Sequence, residues 1–301
     1  MIFLSSSAQL ASFADVAHYL QHQPYALPIV ILILSLLIGS FLNVVIYRLP
    51  VMMEREWQTQ CDELNGKDNS NTEPFTLSAP RSRCPHCNHA ITALENIPII
   101  SYLLLGGKCK QCKAGISIRY PLIEALTGLL SAIIAWQFGF GWACLGALFL
   151  TWALIALTFI DIDHQLLPDS ITLPLLWLGI SFNLFSNYTD LHSSVVGAMA
   201  GYLSLWLVFH AFKLVTGKEG MGYGDFKLLA ALGAWLGWAL LPSIILLSSL
   251  VGAFVGISLI VLRQHQRDIP IPFGPYLAAA GWIALVWGNE INTAYLGLVT
   301  G

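Results

Sequence analysis

The sequence predicts an all-α polytopic membrane protein with about eight transmembrane helices and a small zinc-binding insert, placed in the cytoplasm between the first and second helix. Three observations predict it. Only 10% of the 301 residues are charged and 56% are hydrophobic, whereas a soluble globular chain carries about 25% charged residues. The apolar residues arrive in long runs, which suits a bilayer as solvent. One sizeable polar segment, 48–119, interrupts them and carries two C-x-x-C pairs.

Apolar runs of about 20 residues fall near 28–47, 120–137, 143–160, 170–187, 193–212, 226–241, 243–262 and 272–289. The first has no basic region before it and no small-residue cleavage site after it, so it is expected to stay as an anchor and not leave as a signal peptide. Orientation follows from Lys and Arg near the spans, which favour the cytoplasmic side. Residues 1–47 contain neither. Arg48, Arg55, Lys67, Arg81, Arg83, Lys108, Lys110, Lys113 and Arg119 lie between the first and second runs. Lys213 and Lys218 follow the fifth run, and Arg263 and Arg267 the seventh. All these positions fit one topology, with both termini outside. The organisation is thus 1–47, outside terminus and first helix; 48–119, cytoplasmic insert; and 120–301, transmembrane bundle. The net charge of −3 gives no reason to expect a nucleic-acid partner; membrane lipid is the expected surroundings.

Within the insert, the Ser/Asn/Asp/Glu-rich stretch around Cys61–Thr76 reads as a loop. Beyond it come Cys84-Pro-His-Cys87 and Cys109-Lys-Gln-Cys112. Two such pairs about 20 residues apart have the spacing of a four-thiolate zinc site. Disulfides are the competing reading, opposed by cytoplasmic reducing conditions; four unrelated buried thiols are another, opposed by the repeated spacing. A four-thiolate site leaves no open position for substrate, so its role is structural. His86 and His89 could each replace a thiolate. Cys61 and Cys144 fall outside the pattern and read as ordinary residues.

Ionisable residues beside membrane spans are costly and therefore informative. Asp161 and Asp163 end the third apolar run, and Asp225 opens the sixth after Gly-Met-Gly-Tyr-Gly. Carboxylates brought together from different helices at one depth are what an aspartic hydrolase needs, because like charges at close range share a proton and can polarise a water. A glycine-rich turn would let a substrate backbone approach. The blander reading is that these residues mark where a span ends. Asp169 in Leu-Pro-Asp-Ser reads as a helix N-cap. Glu124, one turn inside the second run, is either functional or paired, with Arg119 or with a neighbouring helix. His210, Lys213, Tyr120 and Trp142 read as interface anchors.

Several ordered segments together make the chain resemble the type IV prepilin leader peptidases. They are Gly-Ser-Phe-Leu-Asn-Val-Val-Ile-Tyr-Arg-Leu-Pro at 39–50, Arg-Ser-Arg-Cys-Pro-His-Cys at 81–87 and Asn-Ile-Pro-Ile-Ile-Ser-Tyr at 96–102. Ile-Asp-Ile-Asp-His-Gln-Leu-Leu-Pro-Asp at 160–169, Gly-Met-Gly-Tyr-Gly-Asp-Phe-Lys at 220–227 and Pro-Phe-Gly-Pro-Tyr at 272–276 complete the set. The resemblance implies an aspartic endopeptidase of the bacterial inner membrane, multi-pass and with its active site facing the cytoplasm. It would cut the basic leader of prepilins and pseudopilins after a glycine, then methylate the new amino terminus with S-adenosylmethionine, for type IV pili and often type II secretion. Asp161 and Asp225 match the family's catalytic aspartates. Methyl transfer rests on the resemblance alone, because no strand, glycine-rich loop and helix announce a nucleotide pocket; the insert around Gly106 and Gly107 is its expected seat. The rival functions are an ion or proton transporter with membrane-edge carboxylates, and a metal-binding membrane scaffold without catalysis.

Overall fold

The computed structural model describes residues 20–21, 23–66, 75–218, 220–263 and 272–300. Their regular structure is helical, and strand geometry is confined to the isolated bridges Arg83–Ala90 and Lys108–Gly115. The helices are α1 (Ala26–Leu64), α2 (Ile100–Leu104), α3 (Arg119–Phe138), α4 (Trp142–His164), α5 (Asp169–Asn183), α6 (Leu191–Thr216), α7 (Tyr223–Leu236), α8 (Leu241–Arg263) and α9 (Gly274–Thr300). A helix occupies each of the apolar runs, but among the described residues five stretches are long and apolar enough to cross a membrane: α1, α3, α4, α6 and Trp238–Ser258. The expected count of about eight is therefore met as helices and only in part as full-length spans. With 15 and 14 residues, α5 and α7 are about 21–22 Å long, short of a hydrocarbon core of about 30 Å.

Two boundaries differ from expectation. The 39-residue α1 runs on past its apolar part, because Val51–Leu64 is rich in Met, Glu and Gln, good helix formers even where packing does not decide. Cys61–Leu64, expected in a loop, ends this helix, and 67–74, with Lys67, lie outside the described residues, as does Arg267. At the other end α9 continues to Thr300 across a kink at Trp287 (φ −126°, ψ 21°).

The chain divides into two compact units, Met1–Leu148 and Phe149–Gly301. In the first, α1 and α3 run antiparallel in close contact. A Cβ on Gly39 would stand 2.7 Å from the Glu124 backbone, and one on Gly128 would stand 2.9 Å from Leu36. Asn43 Nδ2 donates to the Tyr120 carbonyl at 3.2 Å. Arg48, buried at the start of the insert, donates to the carbonyls of Thr76 (2.9 Å) and Pro80 (2.6 Å). The loop that leads to Cys84 is thereby tied back to α1.

In the second unit, α7 is the central helix. Apart from Lys227, every residue from Asp225 to Leu236 is buried. The close approach comes from Gly197-x-x-x-Gly201 on α6, small residues of the kind that let membrane helices touch backbone to backbone. A Cβ on Gly197 would meet the Gly233 carbonyl, and one on Gly201 would stand 2.5 Å from the Leu229 carbonyl. The last carbonyls of α7 need partners away from water. Asn183 Nδ2 donates to Ala234 and Trp235 at 2.9 Å each, and the Ser194 hydroxyl donates to Ala234. Trp235 Nε1 in turn donates to the Leu175 carbonyl at 2.8 Å, locking α5 onto α7.

Candidate functional site

The two C-x-x-C pairs fold as copies of one knuckle. In the first, Cys84 N donates to the His89 carbonyl (2.9 Å) and Asn88 N to the Cys84 carbonyl (2.9 Å). In the second, Cys109 N donates to the Ala114 carbonyl (2.8 Å) and Lys113 N to the Cys109 carbonyl (3.0 Å). Asn88 (φ 56°) and Lys113 (φ 60°) take the left-handed conformation that turns each chain back. All the sulfurs of Cys84, Cys87, Cys109 and Cys112 lie within 4.8 Å of one another. Cys84 to Cys112 is 3.8 Å and Cys87 to Cys109 is 3.9 Å. A tetrahedral zinc with Zn–S of about 2.3 Å holds its sulfurs about 3.8 Å apart, so the donor set fits such a cation.

Backbone amides aim at these sulfurs. The N–H groups of His86 and Cys87 bring the Cys84 thiol down to about 7, and those of Cys112 and Gln111 lower Cys109. At Cys87 the His89 N–H acts in the same direction, but desolvation and the crowd of neighbouring thiols win and push it up to about 12. Four thiolates so close need a cation to stabilise them together. Neither expected substitute for a thiolate enters the cluster as described: His86 is exposed, and His89 Nε2 lies 3.1 Å from Glu95 Oε2. Glu95 also reaches Lys110 of the second knuckle at 3.6 Å. The Thr92 N–H above all, aided by the His89 ring, holds the Glu95 carboxyl at about 2.

The carboxylates gather in the second unit. Asp161, 5% exposed, lies in the last turn of α4, and Asp225, 6% exposed, sits in the first turn of α7. The first residue of α9, Gly274, donates its N–H to Asp161 Oδ2 at 3.0 Å. A helix N-terminus has unused donors and a favourable dipole for an anion, which suits that contact. Leu167 connects the two motifs: a Cβ on Gly224 would stand 2.7 Å from Leu167 Cβ, and one on Gly274 would stand 3.2 Å from Leu167 Cδ1 and 2.6 Å from Asp161 Oδ2. The missing side chain of Gly224 is thus used by Leu167, whereas a Cβ on Gly222 would meet nothing closer than 3.9 Å. Of these two glycines, Gly222 is the one that leaves room for another backbone. Asp225 Oδ1 is buried without a hydrogen-bond partner among the described residues.

Asp169 does not cap α5. Pro168 holds the N-cap position, and the Asp169 carboxylate instead takes Lys227 Nζ at 2.7 Å on each oxygen. Glu124 bonds the Ser40 side chain of the neighbouring helix α1, one of the two expected kinds of partner, and also accepts the Ile99 N–H of the insert at 2.8 Å, which was not expected. The sequence reading also missed any role for Gly274, Leu167, Lys227 and Glu95. The signals were present as Pro-Phe-Gly-Pro-Tyr and Asp-Phe-Lys, but both partners lie far along the chain.

Residues 33–138 match the model of the bacterial peptidase A24 N-terminal domain, and residues 148–257 match that of the type IV leader peptidase family. A protein of Aeromonas hydrophila called prepilin leader peptidase/N-methyltransferase is 59% identical over 289 residues, 95% of this chain and 99% of its own. Proteins of the same name from Pseudomonas aeruginosa (56% identity, 92% of this chain, 96% of theirs) and Neisseria gonorrhoeae (55%, 89% and 93%) are similarly close. No solved structure gives a significant match. With such identity over nearly its whole length, the chain belongs to the type IV prepilin leader peptidase/N-methyltransferase family.

Proposed function

We propose that this protein removes the basic leader from type IV prepilins and pseudopilins after a glycine, and then methylates the new amino terminus, with Asp161 and Asp225 as the peptidase pair. The observation that carries the reading is two buried carboxylates on different helices beside one Leu167–Gly274 wall, with an oxygen of Asp225 unpartnered. An aspartic pair works by sharing one proton. One carboxylate takes a proton from a water as its oxygen bonds to the peptide carbonyl carbon, and the other gives its proton to the carbonyl oxygen. The C–N bond then breaks as the amine accepts a proton. Gly274 N–H orients Asp161 throughout, and the open side of Gly222 faces the route of the substrate backbone. The two aspartates act as one unit, and neither is assigned as acid or base.

The second activity moves a methyl group from the sulfonium of S-adenosylmethionine to the new amine, which releases a proton. We assign it to the insert, with zinc held by Cys84, Cys87, Cys109 and Cys112 in a structural role; no residue is given a catalytic part in it. We place the protein in the bacterial inner membrane, with α5, α7 and α9 completing about eight membrane-embedded helices and with the insert and both aspartates on the cytoplasmic side. An engineered cysteine near Ser70 labelled from outside intact cells would overturn that orientation.

Purified protein in detergent, incubated with a prepilin, is expected to give a product lighter by the leader, and one methyl heavier only when S-adenosylmethionine is supplied. Asp161→Asn and Asp225→Asn keep size and hydrogen bonding, and each is expected to lose cleavage by several orders of magnitude, the double variant being scarcely worse. A folded Asp225→Asn protein that processes prepilin at the parent rate ends the assignment.

A further inference from the structure

The insert does not simply hang from the membrane helices. Exposed Tyr47 on α1 and Tyr120 on α3 stand at neighbouring levels, because Asn43, one turn before Tyr47, bonds the Tyr120 carbonyl. Tyr47 stands where the apolar part of α1 ends and Tyr120 where that of α3 begins, and exposed aromatics at the ends of apolar spans mark the headgroup region. Glu124 lies one turn further into α3, about 6 Å deeper, and its side chain leans back toward the helix N-terminus. Since Glu124 Oε2 accepts the Ile99 N–H at 2.8 Å, Ile99 sits between the levels of Tyr120 and Glu124. That is inside the boundary of the span, although Ile99 belongs to the polar insert.

Lipid-facing chain at this depth must satisfy its backbone polar groups within the protein. Most of the N–H groups of this segment find such partners. Besides Ile99 on Glu124, Ser101 N donates to the Ile97 carbonyl (3.1 Å) and Leu103 N to Ile99 (3.0 Å). Leu105 N donates to Ser101 (3.0 Å), Gly106 N to Leu103 (3.1 Å) and Gly107 N to Tyr102 (2.8 Å). Ile99 itself takes φ 60°, unusual for a β-branched residue and held by the buried carboxylate. The side chains this turn presents outward are apolar: Ile100 is 55% exposed, Leu103 70% and Leu104 81%, with Ile118 at 69% where α3 begins. Exposed Lys108, Lys110 and Lys113 follow within the next turn and knuckle. A basic stretch directly following an apolar turn is complementary to an anionic lipid surface.

We propose that residues 97–104 form a re-entrant wedge that seats the metal-bearing insert in the lipid beside α3, with Ile100, Leu103 and Leu104 in the hydrocarbon boundary and the lysines at the headgroups. The occupant of this apolar face is lipid. The proposal depends on α1 and α3 crossing the membrane and is independent of either catalytic assignment.

The test uses the full-length protein in nanodiscs of phosphatidylethanolamine and phosphatidylglycerol, with a genetically encoded fluorescent residue in place of Leu104 or, separately, Lys113. Retained metal content and prepilin cleavage establish that each variant is folded. At position 104, lipids with a bromine or nitroxide high on the acyl chain are expected to quench at least half of the emission, while aqueous iodide quenches little. At position 113 the order is expected to reverse. Iodide quenching at 104 without lipid quenching overturns the wedge, and so does shielding from both quenchers, which would place a protein partner or second copy on the face. The variant pair Leu103→Glu, Leu104→Glu is expected to let iodide reach a reporter at Ile100; unchanged lipid quenching there also overturns it.

Discussion

Two glycines do different work around the carboxylates. Gly224 gives its space to Leu167, whereas Gly274 brings a backbone donor to Asp161 so closely that a single methyl group would stand 2.6 Å from the carboxylate oxygen. Real Cβ contacts do not close to that distance, so Gly274→Ala has to move either Asp161 or the start of α9. Displacements of about 1 Å at reacting groups cost about 10²-fold in rate. Gly274→Ala is accordingly expected to lower the rate of leader cleavage by about that factor, while an already cleaved peptide is methylated at the parent rate. Single-turnover cleavage and methyl-incorporation assays on the same preparation check it, and a Gly274→Ala protein with unchanged cleavage would mean that this hydrogen bond does not position Asp161. The resemblance marked Asp161 as a catalytic candidate by its motif, yet its hydrogen-bond partner Gly274 was invisible there because 113 residues separate them.

At the scale of elements, α7 carries Asp225 within a surround of other helices, and its entry is fastened by Lys227, the one residue between Asp225 and Leu236 not buried. The Lys227–Asp169 pair ties the N-terminal part of α7 to the first residue of α5. Both side chains keep contact with solvent, and such pairs contribute about 0.2–1 kcal/mol. Asp169→Asn and Lys227→Gln are each expected to reduce cleavage by less than about tenfold, and the double variant should match either single because both remove one shared contact. Two single losses that add in full would show that the residues act separately. Much of this architecture was legible beforehand. The helices fall on the apolar runs, and the cysteine spacing announced a cluster whose sulfurs lie within 4.8 Å. What escaped reading was lateral. Gly197-x-x-x-Gly201 specifies how closely α6 and α7 approach, but not which helix it meets. Asp169 carries the residue type of an N-cap, and only the placement of Lys227 diverts it. The extension of α1 through Leu64 was hidden because a change from apolar to polar residues ends a span without ending a helix.

For the whole molecule, the division of the chain coincides with the division of the family. The chain divides between Leu148 and Phe149, and the matched segment 33–138 lies before that point while 148–257 begins at it. The cysteine cluster lies wholly in the first unit and the carboxylate pair wholly in the second. If each unit carries one of the two activities, damage to one centre should spare the other chemistry. Asp225→Asn is expected to abolish cleavage while methylating a pre-cleaved peptide at the parent rate. The double variant Cys84→Ser, Cys109→Ser removes one ligand from each knuckle, and because metal binding is also folding free energy for such a site, it is expected to lose bound zinc and loosen the insert. Methylation should then fall at least tenfold, and cleavage of a prepilin should fall much less. Metal analysis, protease sensitivity of the insert and the two mass shifts, measured on the same samples, separate these outcomes. Full zinc content in the double cysteine variant counts against the four-thiolate site, and loss of both activities in folded Asp225→Asn protein counts against two independent centres.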